Sequence, residues 1–359
     1  MSQSQRLDSL QALRGIAALA VVVFHLRGVE LKYLDGPSVL DSIGRYADAG
    51  VDLFFVLSGF VMTTICAGRY TRKGEGWLFL TKRAWRVLPL YWLFTTIVVV
   101  LMATVPSIVN TSYAEQSTLA SYFLIPHSQL PLLTVGWTLV HEAYFYLVFA
   151  AVLAVVPERL VSATLLVWAG LVAAAGWVTW VSVTPAQHVV TSPLTYEFIS
   201  GALLGIYRRR IPAPLALPLL LAGAGIALAA AVLLPAAGPA TMDAWLRVAL
   251  FGTSGLFLVA GAVTWETQGH LRLPAFIMRM GDYSYSLYLS HIFVISAFGR
   301  LWAEVLPTSG WAGHITFVSV AIFACCYLGD LVYIHVERPL QALPLKLGDR
   351  RGRRSSQGL

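Results

Sequence analysis

Long apolar runs separated by short polar stretches make up most of this chain. Of its 359 residues, 57% are hydrophobic and 12% are charged, which leaves too much apolar surface for a water-soluble domain. The runs are close to the ~20 residues that a helix needs to cross a bilayer. They predict about ten spans, over residues 10–28, 45–67, 84–106, 134–156, 160–182, 192–207, 213–235, 245–265, 281–303 and 312–335.

Alternation of polar and apolar residues between regular turns, the pattern typical of a strand barrel, does not occur in this sequence. The chain is therefore predicted to be an all-α integral membrane protein, a bundle of about ten helices. Residues 1–345 are expected to form a single transmembrane domain. The basic residues 346–359 are expected to form a disordered cytoplasmic tail.

Lysine and arginine residues are distributed unevenly among the predicted loops. Such residues accumulate in loops on the cytoplasmic side of a membrane. Placing both termini in the cytoplasm puts most of them on that side, including Arg69, Arg72, Lys73, Lys82, Arg208, Arg209, Arg210, Arg272, Arg279 and those of the tail. The net charge of +7 is thus explained by topology, and no nucleic-acid partner is expected.

Two ionisable residues, Arg14 and His25, lie in the first apolar run, where each is costly unless it has a function. At about 100° per residue, the eleven steps between them place both side chains on one helix face, roughly 16 Å apart along the axis. A neutral imidazole can remove a proton from a hydroxyl near neutral pH. His25 is thus a candidate general base, and the alternative is an interfacial histidine that only bonds a neighbouring group.

Arg83 and Arg86 stand three residues apart at the start of the third predicted span. Residues at this spacing project from neighbouring points on one helix face. Two guanidinium groups so placed could bind phosphate groups as a fork. The preference for arginine at the cytoplasmic ends of spans would also place them there without any ligand.

Glu142 lies in an apolar stretch of the fourth predicted span. A carboxylate at membrane depth is very unfavourable without a partner. It could orient the His25 base from across the bundle, or it could only join two helices. The sequence leaves both alternatives open.

Ser284, Tyr288 and His291 follow i, i+4, i+7 spacing and therefore line one stripe of the ninth predicted span. Hydroxyl and imidazole groups often form hydrogen bonds between membrane helices, so a structural role explains this stripe as well as a functional one. The three cysteines, Cys66, Cys325 and Cys326, lack metal-type spacing, and no metal site is expected.

The second predicted span contains two further polar residues, Asp52 and Ser58. Close helix packing accounts for Ser58 beside Gly59, because small residues let two helices approach. Asp52 is harder to explain at this depth, and an ion pair with Arg45 is one possibility.

Taken in order, these motifs resemble the acyltransferase-3 family of membrane-bound acyltransferases, and more closely its bacterial exopolysaccharide acetyltransferase branch. The Arg-x10-His and Arg-x-x-Arg patterns are weak individually, but their ordered combination is specific and covers nearly the whole chain. The matching stretches are residues 7–18, 24–25, 50–60, 83–86, 89–92, 137–142, 283–291 and 337–339.

The resemblance implies transfer of an acyl group, usually acetyl, from cytoplasmic acyl-coenzyme A to a sugar hydroxyl of an exported or surface glycan. It implies a multi-pass protein of a bacterial inner membrane, surrounded by lipid. It also implies that His25 is the catalytic base, while Arg14, Arg83 and Arg86 handle the donor.

On this scheme Glu142 or another acid is expected to fix the tautomer of His25. Direct transfer is favoured over a covalent intermediate on Ser58. Five residues are candidates for contacting the substrate or stabilising the oxyanion: Asp52, Ser58, Trp137, Tyr288 and His291. The alternative from another class is an exporter or flippase that moves a glycan or metabolite without modifying it, because charged residues inside a bundle also mark transport pathways.

Overall fold

The structure, a computed structural model, describes residues 7–36, 38–105, 116–178, 184–234, 238–269, 273–305 and 310–343. The regular secondary structure within these ranges is entirely helical. The predicted tail over residues 346–359 and Arg272 lie outside the described residues.

Within these ranges, ten helices of at least 13 residues occupy the positions of the predicted spans. They are α1 (Asp8–Tyr33), α2 (Gly50–Cys66), α3 (Glu75–Thr104), α4 (Trp137–Val155), α5 (Val161–Val178), α6 (Thr195–Tyr207), α7 (Ala216–Leu233), α8 (Thr253–Thr267), α9 (Ser284–Val305) and α10 (Trp311–Val332). Within the described ranges, nine spans are long and apolar enough to cross a membrane. Helix α9 is not among them because it carries more polar residues, although it has 22 residues. The prediction of an all-α membrane bundle is confirmed.

Shorter helices connect or extend the long ones. They are Asp41–Gly44, Ala47–Ala49, Thr118–Phe123, Thr134–Gly136, Glu158–Leu160, Pro185–Val190, Arg208–Arg210, Ala213–Leu215, Pro239–Thr241, Ala244–Arg247, Val248–Gly252, Ala275–Asp282 and Tyr333–Glu337. Val248–Gly252 and Tyr333–Glu337 are single π-helical turns, a local widening of the helix that often marks a functional region.

Helix α1 lies at the centre of the bundle, where it contacts α2, α8, α9, α10 and the helix Ala275–Asp282. Its first turn is held by Glu266 at the end of α8. The Glu266 carboxylate accepts hydrogen bonds from the backbone N–H groups of Asp8 at 2.7 Å and Ser9 at 3.0 Å. This acid satisfies N–H groups that have no partner inside the helix and complements the positive end of the helix dipole.

Helices that are consecutive along the chain run in opposite directions, so the loops fall at two ends of the bundle. We define the arginine end as the one that holds the starts of α1, α3 and α5. There the backbone N–H of Gly68 donates to Glu158 at 3.0 Å, and the indole of Trp85 donates to the Leu340 carbonyl at 3.0 Å. At the opposite end, which we call the far end, the Tyr46 hydroxyl donates to the Leu234 carbonyl at 2.8 Å.

Helices α2 and α6 approach most closely, and glycine residues permit the contact. A Cβ atom added at Gly59 of α2 would overlap the carbonyl oxygen of Phe198, and one added at Gly201 of α6 would overlap that of Val56. Backbone atoms cannot move aside as a flexible side chain can. The absence of side chains at these positions therefore sets the distance between the two helices.

Replacing Gly59 by alanine is expected to destabilise the protein by about 1–3 kcal/mol, because the added methyl group overpacks a rigid contact. Gly225 of α7 provides the matched control, since a Cβ there has no neighbour within 4 Å. Gly225→Ala should be neutral or slightly stabilising because alanine favours helix more than glycine does. Thermal unfolding in detergent measures both, and equal midpoints would contradict the packing argument.

Candidate functional site

A cavity opens between α1, α2, α3, α4 and α9. It encloses about 910 Å³ of empty space, which includes its mouth. Three arginines line it together: Arg14 of α1, and Arg83 and Arg86 of α3. The helical spacing had predicted that Arg83 and Arg86 share a face, and the structure also brings Arg14 to the same space. We call it the arginine cavity.

Among the described residues, the guanidinium groups in this cavity form no ion pair with a carboxylate. In the described part of the chain, no carboxylate oxygen lies within 4.0 Å, the limit for an ion pair, of a guanidinium nitrogen of Arg14, Arg83 or Arg86. Arg83 instead lies over the rings of Phe79 at 5.6 Å and Tyr146 at 5.9 Å. Partly buried guanidinium groups with unused donors suit an anion with several oxygens, above all a phosphate.

Glu142 also lines the arginine cavity. Its Oε1 accepts a hydrogen bond from the Ser58 hydroxyl at 3.2 Å and another from the hydroxyl of Tyr146, one turn along α4. Among the described residues no hydrogen bond joins Glu142 to His25, so the predicted orienting contact between them is not seen. The carboxylate is placed to bind Ser58 and Tyr146 instead, while its predicted catalytic role stays a prediction.

The His25 ring faces the interior of the bundle and packs against α9. Its Nδ1 lies 2.9 Å from the Val21 carbonyl oxygen and 3.3 Å from Nε2 of His291. The two imidazole centroids are 5.0 Å apart. His25 is half-buried and does not line the arginine cavity, whereas His291 is completely buried.

Tyr288 lies between the arginine cavity and this histidine pair. Its ring lines the cavity, and its centroid is 6.2 Å from that of His291. The Tyr288 hydroxyl donates to the Val135 carbonyl at 2.8 Å and lies 2.6 Å from the Thr138 hydroxyl oxygen. Because its only proton is used in this way, the arrangement does not favour Tyr288 as an oxyanion donor.

The predicted stripe on α9 is present, and it runs from the cavity to the histidine pair. Ser284 and Tyr288 line the cavity, and His291 lies one turn beyond Tyr288. The Ser284 hydroxyl donates to the Gly281 carbonyl at 2.8 Å, which closes the preceding turn. Ser284 thus has a structural bond, whereas His291 directs a ring nitrogen at another helix.

Asp52 belongs to a separate cluster of buried charges. The suggested pairing with Arg45 is wrong, because Arg45 bonds to Asp41 at 3.2 Å. Asp52 instead receives two hydrogen bonds from Arg247, at 2.9 and 2.7 Å, and Asp48 receives a third at 2.8 Å. Sequence reasoning missed this cluster. Its signals in the sequence were Arg247 near an apolar run, and Asp48 and Asp52 at i and i+4.

Trp137 does not line the arginine cavity. Together with His141 and His188 it lines a second cavity at the far end, and its ring makes an edge contact with His141 at a centroid distance of 5.8 Å. Helix α4 therefore separates two spaces, with Thr138 and Glu142 facing the first. Trp137 is not placed to stabilise an oxyanion in the arginine cavity.

These observations define a multi-pass membrane protein with an internal cavity lined by three arginines and a histidine pair beyond it. Residues 7–331 match the acyltransferase domain family Acyl_transf_3. The chain belongs to this family, and it is therefore a membrane acyltransferase.

One relative is similar over most of its length. The chain is similar to the exopolysaccharide production protein ExoZ of Rhizobium meliloti (strain 1021), with 32% identity over 321 residues. The similarity covers 87% of this chain and 93% of ExoZ. No solved structure matches the chain.

Proposed function

We propose that the protein transfers an acyl group, most simply acetyl, from acyl-coenzyme A to a sugar hydroxyl of an exported glycan. Family membership supports acyl transfer, and the similarity to ExoZ, an exopolysaccharide production protein, supports an exopolysaccharide as the acceptor. The observation that carries the choice of donor is the arginine cavity, where three guanidinium groups lack a carboxylate within ion-pair distance in the described part of the chain.

Coenzyme A is a polyanion with a long flexible arm. Its phosphates suit the arginines of the cavity, and its arm suits the apolar part of the lining. Arg83 and Arg86 would bind its phosphates at the arginine end, which the positive-inside rule places in the cytoplasm of a bacterial inner membrane. Arg14 faces the same space from α1, beside the path of the arm. Apolar residues such as Phe54 and Leu57 line the remainder and suit the arm and its acyl group.

In the proposed chemical step, His25 removes the proton from the sugar hydroxyl, and the oxygen attacks the thioester carbonyl carbon. The tetrahedral intermediate collapses by breaking the carbon–sulfur bond. The coenzyme A thiolate then leaves with the proton that His25 received. Tyr288 lines the cavity and its ring centroid is 6.2 Å from that of His291, so the thioester is proposed to approach His25 beside this ring.

Labelled acetyl-coenzyme A tests this function directly. The purified protein in lipid vesicles is incubated with the labelled donor and with exopolysaccharide from cells that lack the protein. Covalent label on the sugar is the expected result. Passage of the glycan across the vesicle membrane without label would instead support the exporter alternative.

Arg83→Ala and Arg86→Ala are each expected to raise the KM for acyl-coenzyme A by roughly 10- to 100-fold, because each removes a charge-assisted bond to phosphate. The kcat at saturating donor should change much less, since these residues lie away from His25. Lys82→Ala is the matched control, because Lys82 is adjacent and exposed but does not line the cavity. An equal rise in KM for Lys82→Ala would indicate a general effect of surface charge.

A further inference from the structure

His291 is a buried polar residue whose position suggests that it acts on a neighbouring residue. It is completely buried in α9, where an ionisable ring is energetically unfavourable and usually has a functional role. Its Nδ1 lies 3.1 Å from the Leu287 carbonyl oxygen, one turn back along the same helix. A carbonyl oxygen only accepts hydrogen bonds, so this contact requires the proton of His291 to be on Nδ1. Nε2 of His291 then carries a lone pair.

The same argument applies to His25. Its Nδ1 lies 2.9 Å from the Val21 carbonyl oxygen, so this nitrogen also bears a proton. The Nε2 lone pair of His291 lies 3.3 Å from that N–H group and is its second acceptor. Both contacts are therefore consistent with one assignment of protons, in which Nε2 of His25 is the unprotonated nitrogen. Within the described residues, no hydrogen bond engages Nε2 of His25.

We propose that His291 is a positioning residue, which together with the Val21 carbonyl holds His25 in the orientation and tautomer with its proton on Nδ1, so that Nε2 is the basic nitrogen. This inference rests on the proposed function of His25 as the base. In the histidine bases of hydrolases, a carboxylate usually accepts the Nδ1 proton. In the described part of this chain no carboxylate lies within 4.0 Å of His25, and the Val21 carbonyl and the neutral ring of His291 are the two acceptors that face its Nδ1.

The proton balance of the step is complete with this pair. Nε2 of His25 receives the proton of the sugar hydroxyl while the oxygen–carbon bond forms. The resulting imidazolium shares its Nδ1 proton between the Val21 carbonyl and Nε2 of His291, which supplies a second acceptor without adding a negative charge to the membrane interior. When the carbon–sulfur bond breaks, the departing thiolate takes the proton from Nε2, and both histidines are neutral again.

Two substitutions separate positioning from packing. His291→Phe keeps a ring of similar size but has no acceptor, whereas the side-chain oxygen of His291→Gln can accept from Nδ1 of His25. We expect His291→Phe to lower kcat by roughly 10- to 100-fold, as loss of an orienting partner does elsewhere, with the KM for acyl-coenzyme A changed less than about twofold. His291→Gln should recover most of this loss. Ser290→Ala, a buried neighbour on α9, should leave kcat unchanged.

Wild-type activity in His291→Phe, or equal loss in His291→Phe and His291→Gln with both proteins folded, would refute the positioning role. His25→Ala is measured in parallel. An active His25→Ala protein overturns the proposed base itself. An inactive His25→Ala protein beside a fully active His291→Phe protein overturns only the role of His291.

Nitrogen-15 NMR of the wild-type protein in bilayers, labelled at histidine, provides a test that does not depend on how the variants fold. The His25 signals are assigned by their loss in His25→Gln. We expect Nε2 of His25 to show the shift of an unprotonated nitrogen, with coupling between its Nδ1 and Nε2 of His291 across the hydrogen bond. A proton on Nε2 of His25 in the resting protein would disprove the assignment.

Discussion

His25→Ala is expected to lower kcat for acyl transfer by roughly 10²- to 10⁴-fold, which is the usual contribution of a general base. Alanine cannot accept the proton of the sugar hydroxyl, so the attacking oxygen remains a weak nucleophile. The KM for acyl-coenzyme A should stay near its wild-type value, because His25 does not line the arginine cavity. Initial rates with labelled donor, over a range of donor concentrations, give both constants.

The matched control for this prediction is His335→Ala. His335 is exposed in the π-helical turn Tyr333–Glu337 and lines neither cavity. Its removal should leave kcat and KM unchanged. Both variants should elute as the wild-type protein does in size-exclusion chromatography. Normal turnover by a folded His25→Ala protein would remove this residue from the mechanism.

Much of the arginine cavity could be predicted from the sequence, because the signals are local. The cost of burying charge identified Arg14 as a functional candidate, and helical periodicity placed Arg83 and Arg86 on one face. The spacing on α9 likewise placed Tyr288 and His291 on one stripe, which the structure shows. Each of these inferences needs only one helix and its period.

The partners of these residues could not be predicted, because they depend on how distant helices pack. His25 and His291 are 266 positions apart, and Asp52 and Arg247 are 195 apart. No local period relates such residues. The sequence therefore favoured Arg45 as the partner of Asp52 and Glu142 as the partner of His25. In the structure, Asp52 instead bonds to Arg247 and His25 contacts His291.

Arg247→Ala is expected to destabilise the protein by about 3–5 kcal/mol, the cost of leaving buried charges without a partner. Arg247 is 7% exposed and bonds to Asp48 and Asp52, which are 5% and 0% exposed. Its loss leaves two carboxylates in an apolar interior. Thermal unfolding in detergent should show a clear fall in midpoint. Arg279→Ala breaks an exposed pair with Asp330 and should change the midpoint little.

A triple variant distinguishes lost charge pairing from lost packing. In Arg247→Met with Asp48→Asn and Asp52→Asn, the three groups that form the ion pairs are replaced together, while methionine keeps much of the volume of the arginine side chain. Replacement of a whole buried ion cluster is often neutral, whereas removal of one member is not. We therefore expect the triple variant to regain most of the stability that Arg247→Ala loses. A triple variant as unstable as Arg247→Ala would show that the cluster acts through its shape and hydrogen bonds, and that unpaired charge is not the cause of the loss.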